Sequence, residues 1–496
     1  MTKGAKGAGD EAAAEPGADP GSLWRSALAS RYTSRAMQEL FSERRRAKLW
    51  REIWIALAET QRELGLDLPA ADIAALARRI DDIDLARAAE LEKTLRHDVM
   101  AHLHAFAELH PPAKPFLHLG ATSCTITDNA DLIVLREALV LLRGATAQVM
   151  QQLADFARQH RALPTLGYTH FQPAQPTTVG KRACLWLQDL LLDFEELERL
   201  IAWLPLRGVK GTTGTQASFL SLFGGDHAKV RELDRRFAAR LGFATTFAVT
   251  GQTYPRKVDA RILSVLSGLG QSAAKAGNDL RLLAHEQEIE EPFEEKQVGS
   301  SAMAYKRNPM RAERMVSLAR FLIHLPANAA ETAAQQWLER TLDDSANRRI
   351  VLAEACLAAD AVLRVYQSIF RGILVHEPRI RAHLERELPF MATEEILMQA
   401  VQAGGDRQDL HEKLRVHARA AAERMKGGAA DNDLFARLSQ DPAFAAVKRG
   451  FAKLADGSTL TGRAAQQVVE FLTEQVEPAL KRVAGAARRE IEDLKV

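Results

Sequence analysis

The segment GSSAMAYKRNPM, residues 299–310, has the types of side chain that could do chemistry and no helical or strand periodicity. Two serines follow a glycine, and Lys306, Arg307 and Asn308 come within eight residues of the second serine. A polar segment of this kind between Pro292 and Pro309 fits a mobile lid over a site. A phosphate-binding loop would require the order GxxxxGK[ST], which is absent. Spacing alone favours the lid and a plain surface loop equally.

A second polar segment, LPTLGYTHFQPAQPTTVGKR (163–182), contains Pro164, Pro173 and Pro176. These prolines predict a rigid loop with Thr169 and His170 at its centre. A histidine with an ordinary pKa near ~6.5 can exchange a proton at cellular pH, so His170 is a candidate acid or base. A single histidine is nevertheless more often structural.

Two further segments precede predicted helices. In HLGATSCTITDN (118–129), Thr122 and Ser123 lie where free N–H groups could bind a carboxylate or a phosphate, although a plain N-cap is the commoner role. In RHDVMAHLH (96–104), His97 stands between Arg96 and Asp98, and a solvated helix start is the alternative interpretation. The spacing of the three histidines, five and two, does not place them on one helical face, so no metal site is predicted.

Long amphipathic helices must position these segments. Apolar residues recur every three or four positions along residues 132–156 and 187–204. No proline interrupts residues 256–291, which are predicted to form one long helix. Such sustained steps are typical of helix bundles rather than of ordinary surface helices. Strand signals are sparse, and residues 245–254 (TTFAVTGQTY) are the best candidate for an extended piece.

The chain of 496 residues is too long for one hydrophobic core. We predict a disordered Ala/Gly-rich tail at 1–21, an N-terminal helical domain at 22–121, a central long-helix domain at 122–375 and a C-terminal helical domain at 376–496. The tail has acidic residues and no apolar core segment, which argues against a secretory or mitochondrial signal.

Composition excludes several classes of function. The formal net charge is +2, from 66 basic and 64 acidic side chains, so no nucleic-acid partner is expected. No apolar run is long enough for a membrane span. The three cysteines are scattered and form no CxxC pair, which suits a reducing compartment and predicts a cytoplasmic location.

Taken together, the polar segments resemble motifs of the fumarase/aspartase superfamily and, within it, of the adenylosuccinate lyases. GSSAMAYKRNPMRAE is similar to the superfamily's signature loop. Four other segments resemble motifs of the adenylosuccinate lyase family, in its animal-type branch: RHDVMAH, THFQPAQPTTVGKR, RGVKGTTGTQASF (207–219) and TLDDSANRR (341–349). The resemblance begins near residue 23 and covers nearly all the rest of the chain.

The resemblance implies an all-α fold of three mostly helical domains, with a twenty-helix core built by four identical subunits. It also implies a β-elimination of fumarate from adenylosuccinate, giving AMP, and from the succinyl-carboxamide imidazole ribotide (SAICAR), giving the free carboxamide. No metal or other cofactor is expected. Active sites of the family combine residues of three subunits, so the polar segments need not meet within one chain.

The resemblance also assigns roles to residues. Ser300 is the expected base, Lys306 and Asn308 are expected to stabilise the doubly charged intermediate, His170 is the expected acid, and His97 is expected to orient the substrate. The expected substrate contacts are Arg31, Tyr32, Arg96, Asp98, Thr122, Ser123, Thr169, Gln252, Arg314, Arg340, Ser345 and Arg349.

One position departs from the family pattern, because Ala304 stands where proline is usual, and this predicts a looser loop with altered turnover.

Argininosuccinate lyase, fumarase and aspartase share the signature loop, but the Arg340–Arg349 segment and the SRY segment at 30–32 argue against their phosphate-free substrates. A catalytically silent structural relative is the other alternative. The presence of both His170 and Ser300 argues against it.

Overall fold

The computed structural model describes residues 23–483, so the predicted tail at 1–21 lies outside the described residues. The first part of the chain is helical, as predicted. After a π-helical turn at Leu28–Tyr32 it contains α1 (Arg35–Leu40), α2 (Glu43–Glu63), α3 (Ala70–Ala77), α4 (Leu85–Leu95) and α5 (Asp98–Ala107).

The middle of the chain contains the long helices. They are α6 (Ser123–Gln159), α7 (Val179–Trp203), α10 (Lys257–His285), α11 (Met310–His324), α12 (Pro326–Ala334) and α13 (Asp344–Phe370), with the short α8 (Ala217–Leu222) and α9 (His227–Arg240) between α7 and α10. The apolar stripe of α6 is buried, including Leu132, Leu135, Leu139 and Leu142. This confirms the predicted bundle of long helices.

The directions of these helices follow from their contacts. Arg256, just before α10, binds both Asp128 near the start of α6 and Asp344 at the start of α13, so these three helices begin at the same end of the bundle. Gly180, at the start of α7, packs against Ala157 near the end of α6, so α7 runs the opposite way. We call the two ends of the bundle the Ser123 end and the Gln159 end.

The predicted helix 256–291 is shorter than expected, because α10 ends at His285. Gln287 has a positive φ of 59°, which a helix cannot continue through. The chain then forms strand β3 (Ile289–Glu290), which pairs antiparallel with β4 (Leu374–Val375), just after α13.

The proline-rich segment at 163–182 was predicted to be a loop, and this was wrong. It forms an antiparallel hairpin of β1 (Pro164–Thr169) and β2 (Gln172–Thr178). His170 and Phe171 make the two-residue turn, both with positive φ (53° and 55°), which is the geometry of a type I′ turn. Prolines are tolerated because an isolated two-stranded hairpin has only edge strands.

The strand expected at 245–254 was also wrong. Among the described residues this segment contributes only one isolated bridge, between Leu206 and Thr246. Its β-branched and aromatic residues suit a strand, but within residues 23–483 no neighbouring strand lies beside them to pair with.

The last part of the chain is again helical. It contains α14 (Glu377–Met391), α15 (Thr393–Gln402), α16 (Arg407–Lys426), α17 (Leu434–Gln440), α18 (Phe451–Leu454), α19 (Ala464–Phe471) and α20 (Glu477–Lys481). Buried residues between 392 and 454 form a hydrophobic cluster separate from the main core. The exact domain boundaries stay a prediction.

Within residues 23–483, no helix is both long enough and apolar enough to cross a membrane.

Candidate active site

A cavity of about 680 Å³ opens at the Ser123 end of the bundle. Its walls come from α2, the α4–α5 junction, and the starts of α6 and α13, together with the segment before α10. Eight of the predicted site residues line it: Arg96, His97, Asp98, Ser123, Gln252, Arg340, Ser345 and Arg349. Residues separated by more than 250 positions in the sequence therefore share one cavity.

His97 is the N-cap of α5 and also reaches the start of α6. Its Nδ1 accepts a hydrogen bond from the Met100 N–H at 3.5 Å, and its Nε2 lies 3.1 Å from Ser123 Oγ. Because Nδ1 acts as the acceptor, the neutral ring carries its proton on Nε2 and donates to the serine hydroxyl. His97 thus presents a donor to the cavity.

Asp98 and Arg349 form an ion pair at the mouth of the cavity, with Nη2 of Arg349 2.9 Å from Oδ2 of Asp98. Burial opposes ionisation of Asp98, but hydrogen bonds from Arg349 and from the Val99 N–H outweigh it and lower the pKa of the carboxyl. The carboxylate is therefore ionised at neutral pH, and it fixes an arginine that is otherwise largely exposed.

The floor of the cavity is a buried ionic network. Arg256 donates from Nη1 and Nη2 to the two oxygens of Asp128 at 3.1 Å each, and from Nε to Asp344 at 2.6 Å. Arg348 donates to Asp259 at 2.7 Å, and Asp259 also accepts from the buried Tyr254 hydroxyl. Buried charges persist only when they are paired in this way.

Sequence reasoning missed Asp128, Arg256 and Asp344. A signal was available, because Asp128 precedes Leu132 and Leu135 on the same helical stripe, where a charge must be buried and paired. The partner of such a charge lies far along the chain and cannot be read from local spacing.

Two more arginines contribute positive charge to the cavity. Arg46 on α2 packs over the Trp50 ring at 5.5 Å, and Arg96 ends α4 with a left-handed φ of 51°. Non-glycine residues rarely adopt this conformation, and those that do cluster at functional sites. Cys124 also lines the cavity, and its burial raises the pKa of its thiol to about 11, so the thiol stays protonated.

The other predicted residues do not line this cavity. Thr122 is close, as the N-cap of α6, and its backbone N–H donates to Thr125 Oγ1 at 3.2 Å. Arg31 and Tyr32 lie in the π-helical turn, where the carbonyl of Tyr32 accepts from Arg364 at 3.0 Å and its ring lies 5.9 Å from the guanidinium of Arg314.

Thr169 and His170 lie at the exposed tip of the β1–β2 hairpin, at the Gln159 end. The segment with Ser300, Lys306 and Asn308 is an irregular loop between β3 and α11. The loop also lies at the Gln159 end. It follows β3, which pairs with β4, and β4 comes just after α13. Phe370, the last residue of α13, packs its ring 5.5 Å from the ring of Phe156 near the end of α6.

The loop has its own internal contacts. Ser300 Oγ accepts from the Met303 N–H at 3.1 Å, and Asn308 Nδ2 donates to the Gly299 carbonyl at 3.0 Å. A Cβ on Gly299 would overlap the Lys306 carbonyl oxygen, so the glycine is required for close approach. Lys306 itself is exposed.

The cavity and the loop are far apart within one chain. They lie at opposite ends of α6, whose 37 residues span roughly 55 Å at 1.5 Å per residue. No direct contact between His97 and Ser300 or His170 is possible within one subunit.

No group of three or more potential ligands that could hold a metal ion occurs within residues 23–483.

Comparisons with known proteins agree with this architecture. A family profile described as "Lyase" matches residues 28–322, and one described as "Adenylosuccinate lyase C-terminus" matches residues 389–471. The chain is similar in fold to the 3-carboxy-cis,cis-muconate lactonizing enzyme from Pseudomonas putida, with a TM-score of 0.78 and 25% identity over 92% of this chain and 99% of that one.

Two curated relatives are more similar in sequence. The adenylosuccinate lyase of Schistosoma mansoni is 49% identical over 92% of this chain and 96% of the relative. That of Saccharomyces cerevisiae is 49% identical over 92% of this chain and 95% of the relative. Because this identity extends over more than nine-tenths of this chain and of each relative, the chain belongs to the adenylosuccinate lyase family.

Proposed function

We propose that this protein cleaves adenylosuccinate to AMP and fumarate, and SAICAR to its free carboxamide and fumarate, by β-elimination without a metal or other cofactor. The observation that carries the proposal is the arginine-rich cavity at the Ser123 end, in a chain of this family. Arg46, Arg96, Arg340 and Arg349 line it, and both substrates carry a phosphate and two carboxylates that such a cavity would attract.

The phosphate is proposed to bind at the start of α13. Arg340 and Arg349 supply guanidinium groups, and Ser345 lies between them in the first turn of the helix. A helix N-terminus adds free N–H groups and a favourable dipole for an anion. Arg31 and Tyr32, which lie away from this cavity, are proposed to come from a neighbouring subunit, as are Thr169 and Arg314.

The elimination itself needs a base, an acid and a group that holds developing charge. Ser300 is proposed to remove the proton next to a carboxylate, with Lys306 and Asn308 stabilising the resulting dianion. His170 is proposed to protonate the departing nitrogen. His97, which donates from Nε2, is proposed to orient the succinyl group from the cavity side, together with Ser123 and Gln252.

These roles require another subunit, and we propose the homotetramer of the family. Apolar side chains on the long helices support it, because Leu185 and Leu192 of α7, Leu282 of α10 and Phe321 of α11 are all exposed in the single chain. Leu338, beside the cavity, is 97% exposed and has a positive φ of 47°. Exposed apolar surface on bundle helices is typical of a contact between subunits.

A cytoplasmic location also stays a proposal. Its support is that all three cysteines, Cys124, Cys184 and Cys356, are free and buried.

The test is an assay with adenylosuccinate that follows its ultraviolet absorbance and identifies AMP and fumarate. We expect wild type to release both products and Ser300→Ala to lose ~10²–10³-fold or more in kcat, as expected when a group essential to the transition state is removed. Ser301→Ala is the matched control, since Ser301 is an exposed serine in the same loop, and it should lose little.

The other outcomes are informative. Full activity of Ser300→Ala would support the proposed enzyme activity but show that another residue is the base. Cleavage of argininosuccinate in place of adenylosuccinate would favour another lyase of the superfamily. Failure of wild type on adenylosuccinate, SAICAR and argininosuccinate would favour a catalytically silent relative.

A further inference from the structure

Asp344 belongs to the buried floor of the cavity and contacts two arginines that line it. Its side chain is 0% exposed, in the first turn of α13. One of its oxygens accepts from Arg256 Nε at 2.6 Å, and both oxygens lie 2.9 Å from Arg340 Nη1. A carboxylate in the first turn of a helix is also favoured by the helix dipole.

Arg256 cannot move to accommodate Asp344, because it is itself fixed. Its side chain is buried, and its Nη1 and Nη2 bind the two oxygens of the buried Asp128 at 3.1 Å each. Such two-point contacts define the orientation of both groups. Asp344 therefore stands on a rigid base that connects the starts of α6, α10 and α13.

Arg340 is the outermost member of this chain of contacts. It belongs to no helix, its side chain is 23% exposed, and it lines the cavity. A long side chain on an irregular segment would otherwise sample many rotamers, and ordering it costs free energy each time a ligand binds. The Asp344 carboxylate already orders the Arg340 side chain before a ligand binds, so ligand binding does not bear this cost.

We propose that Asp344 is a positioning residue, which holds the Arg340 guanidinium in place for a phosphate group of the ligand. This rests on the proposed function, in which Arg340 binds the substrate phosphate. Asp344 touches no substrate itself, and it acts through Arg340.

The test is Asp344→Asn, which keeps the size of the side chain but removes its charge and one of its two acceptor oxygens. We expect KM for adenylosuccinate and the inhibition constant of inorganic phosphate each to rise about tenfold, and kcat to change less than about threefold, because uniform binding is lost rather than a transition-state contact.

A double-mutant cycle with Arg340→Met separates positioning from a general loss of structure. If Asp344 acts through Arg340, Asp344→Asn/Arg340→Met should bind phosphate no more weakly than Arg340→Met alone. Independent, additive losses would overturn the proposal, and so would a fall in kcat with no change in KM.

Asp234→Asn is the matched control. Asp234 is also a buried carboxylate in an ion pair, with Lys210 at 2.5 Å, but neither residue lines the cavity. It should lower the melting temperature as Asp344→Asn does and leave KM unchanged. A rise in KM equal to that of Asp344→Asn would mean that any buried ion pair has this effect, and would overturn the proposal.

Calorimetry with inorganic phosphate keeps the two proposals distinguishable. If wild type does not cleave adenylosuccinate, the proposed function fails, but the phosphate affinities of wild type, Asp344→Asn and Asp234→Asn still decide whether Asp344 positions Arg340. Equal phosphate affinities in wild type and Asp344→Asn would reject the positioning role.

Discussion

At the scale of single residues, His97 makes two contacts that mutation can separate. Its Nδ1 caps α5, and its Nε2 reaches Ser123. His97→Asn should retain the cap, because asparagine is a good N-cap residue, and lose the contact with Ser123. We expect kcat for adenylosuccinate to fall ~10²-fold or more, because the substrate is no longer correctly oriented, with a melting temperature close to that of wild type.

His97→Ala is the companion variant, since it removes both contacts. It should lose similar activity and in addition be less stable by about 1 kcal/mol, the usual contribution of an N-cap. Equal activity of His97→Asn and wild type, measured in the same assay, would show that His97 serves only as a cap.

The residues of the cavity also show what the sequence could and could not predict. His97, Ser123, Arg340 and Arg349 were identified by motif, and the structure brings them together. The buried network was not identified, because its pairs join residues 88 and 128 positions apart. Burial on a helical stripe can be predicted locally, but the partner of a buried charge depends on how helices pack.

At the scale of elements, the loop between β3 and α11 depends on Gly299 for space rather than for a special backbone angle. A methyl group there would meet the Lys306 carbonyl oxygen and the Phe293 ring. We expect Gly299→Ala to displace the loop and lower kcat at least tenfold, while the folded core stays intact. The assay and a thermal melt measure the two effects.

Gly144→Ala is the control for that variant. Gly144 lies within α6, and a methyl group added there would have no neighbouring atom within 4 Å in the single chain. Alanine in a helix interior is favoured over glycine by about 1 kcal/mol, so this variant should be more stable and fully active. Loss of activity in both glycine variants would remove the special role assigned to the loop.

The packing of α7 against α10 predicts a pH dependence of stability. Asp193 accepts from Ser272 at 2.5 Å, and burial raises the pKa of its carboxyl to about 7, with Asp189 and Glu196 nearby. Its unfolded pKa is ~3.9, so the native state favours the protonated form. The stability from this group is fully present below the unfolded pKa and is lost as pH rises through about 7.

Asp193→Asn should therefore melt at a higher temperature than wild type at pH 8, and the difference should shrink toward pH 5. Glu196→Gln, on the same helix in an exposed ion pair with Arg199, is the control and should show no such trend. A constant difference across this pH range for Asp193→Asn would argue that the carboxyl is ionised throughout.

The long helices were predictable and the hairpin was not, for a physical reason. A stripe of leucines repeats along α6 over many turns, so the period is unambiguous. The hairpin has three prolines and a turn of His170 and Phe171 instead of the usual Asn-Gly, so its local signals favour a loop. Its pairing is held by surrounding contacts, such as Thr165 Oγ1 with the buried Glu288 at 3.4 Å.

At the scale of the whole molecule, the proposed assembly predicts complementation between inactive variants. His97→Ala and Ser300→Ala affect opposite ends of α6, so in a shared site the two residues come from different subunits. Mixed tetramers formed by co-expression should recover about a quarter of wild-type activity, because one site in four then receives both intact residues. Each variant alone should be inactive.

The measurement is the specific activity of the purified mixture, against equal amounts of each variant mixed after assembly. No recovery in the co-expressed sample, with tetramers confirmed by mass, would place both residues in a site within one subunit, contrary to the separation along α6.

The length of α6 has a further consequence for a newly made subunit. Because the stiff α6 helix keeps the cavity and the loop at opposite ends, the proposed roles imply that one chain by itself would bind a substrate without converting it. Catalysis would then begin only after subunits meet, and specific activity would fall on dilution below the dissociation constant of the assembly. The length of the helix would thus prevent catalysis by a newly made subunit until the subunits have assembled.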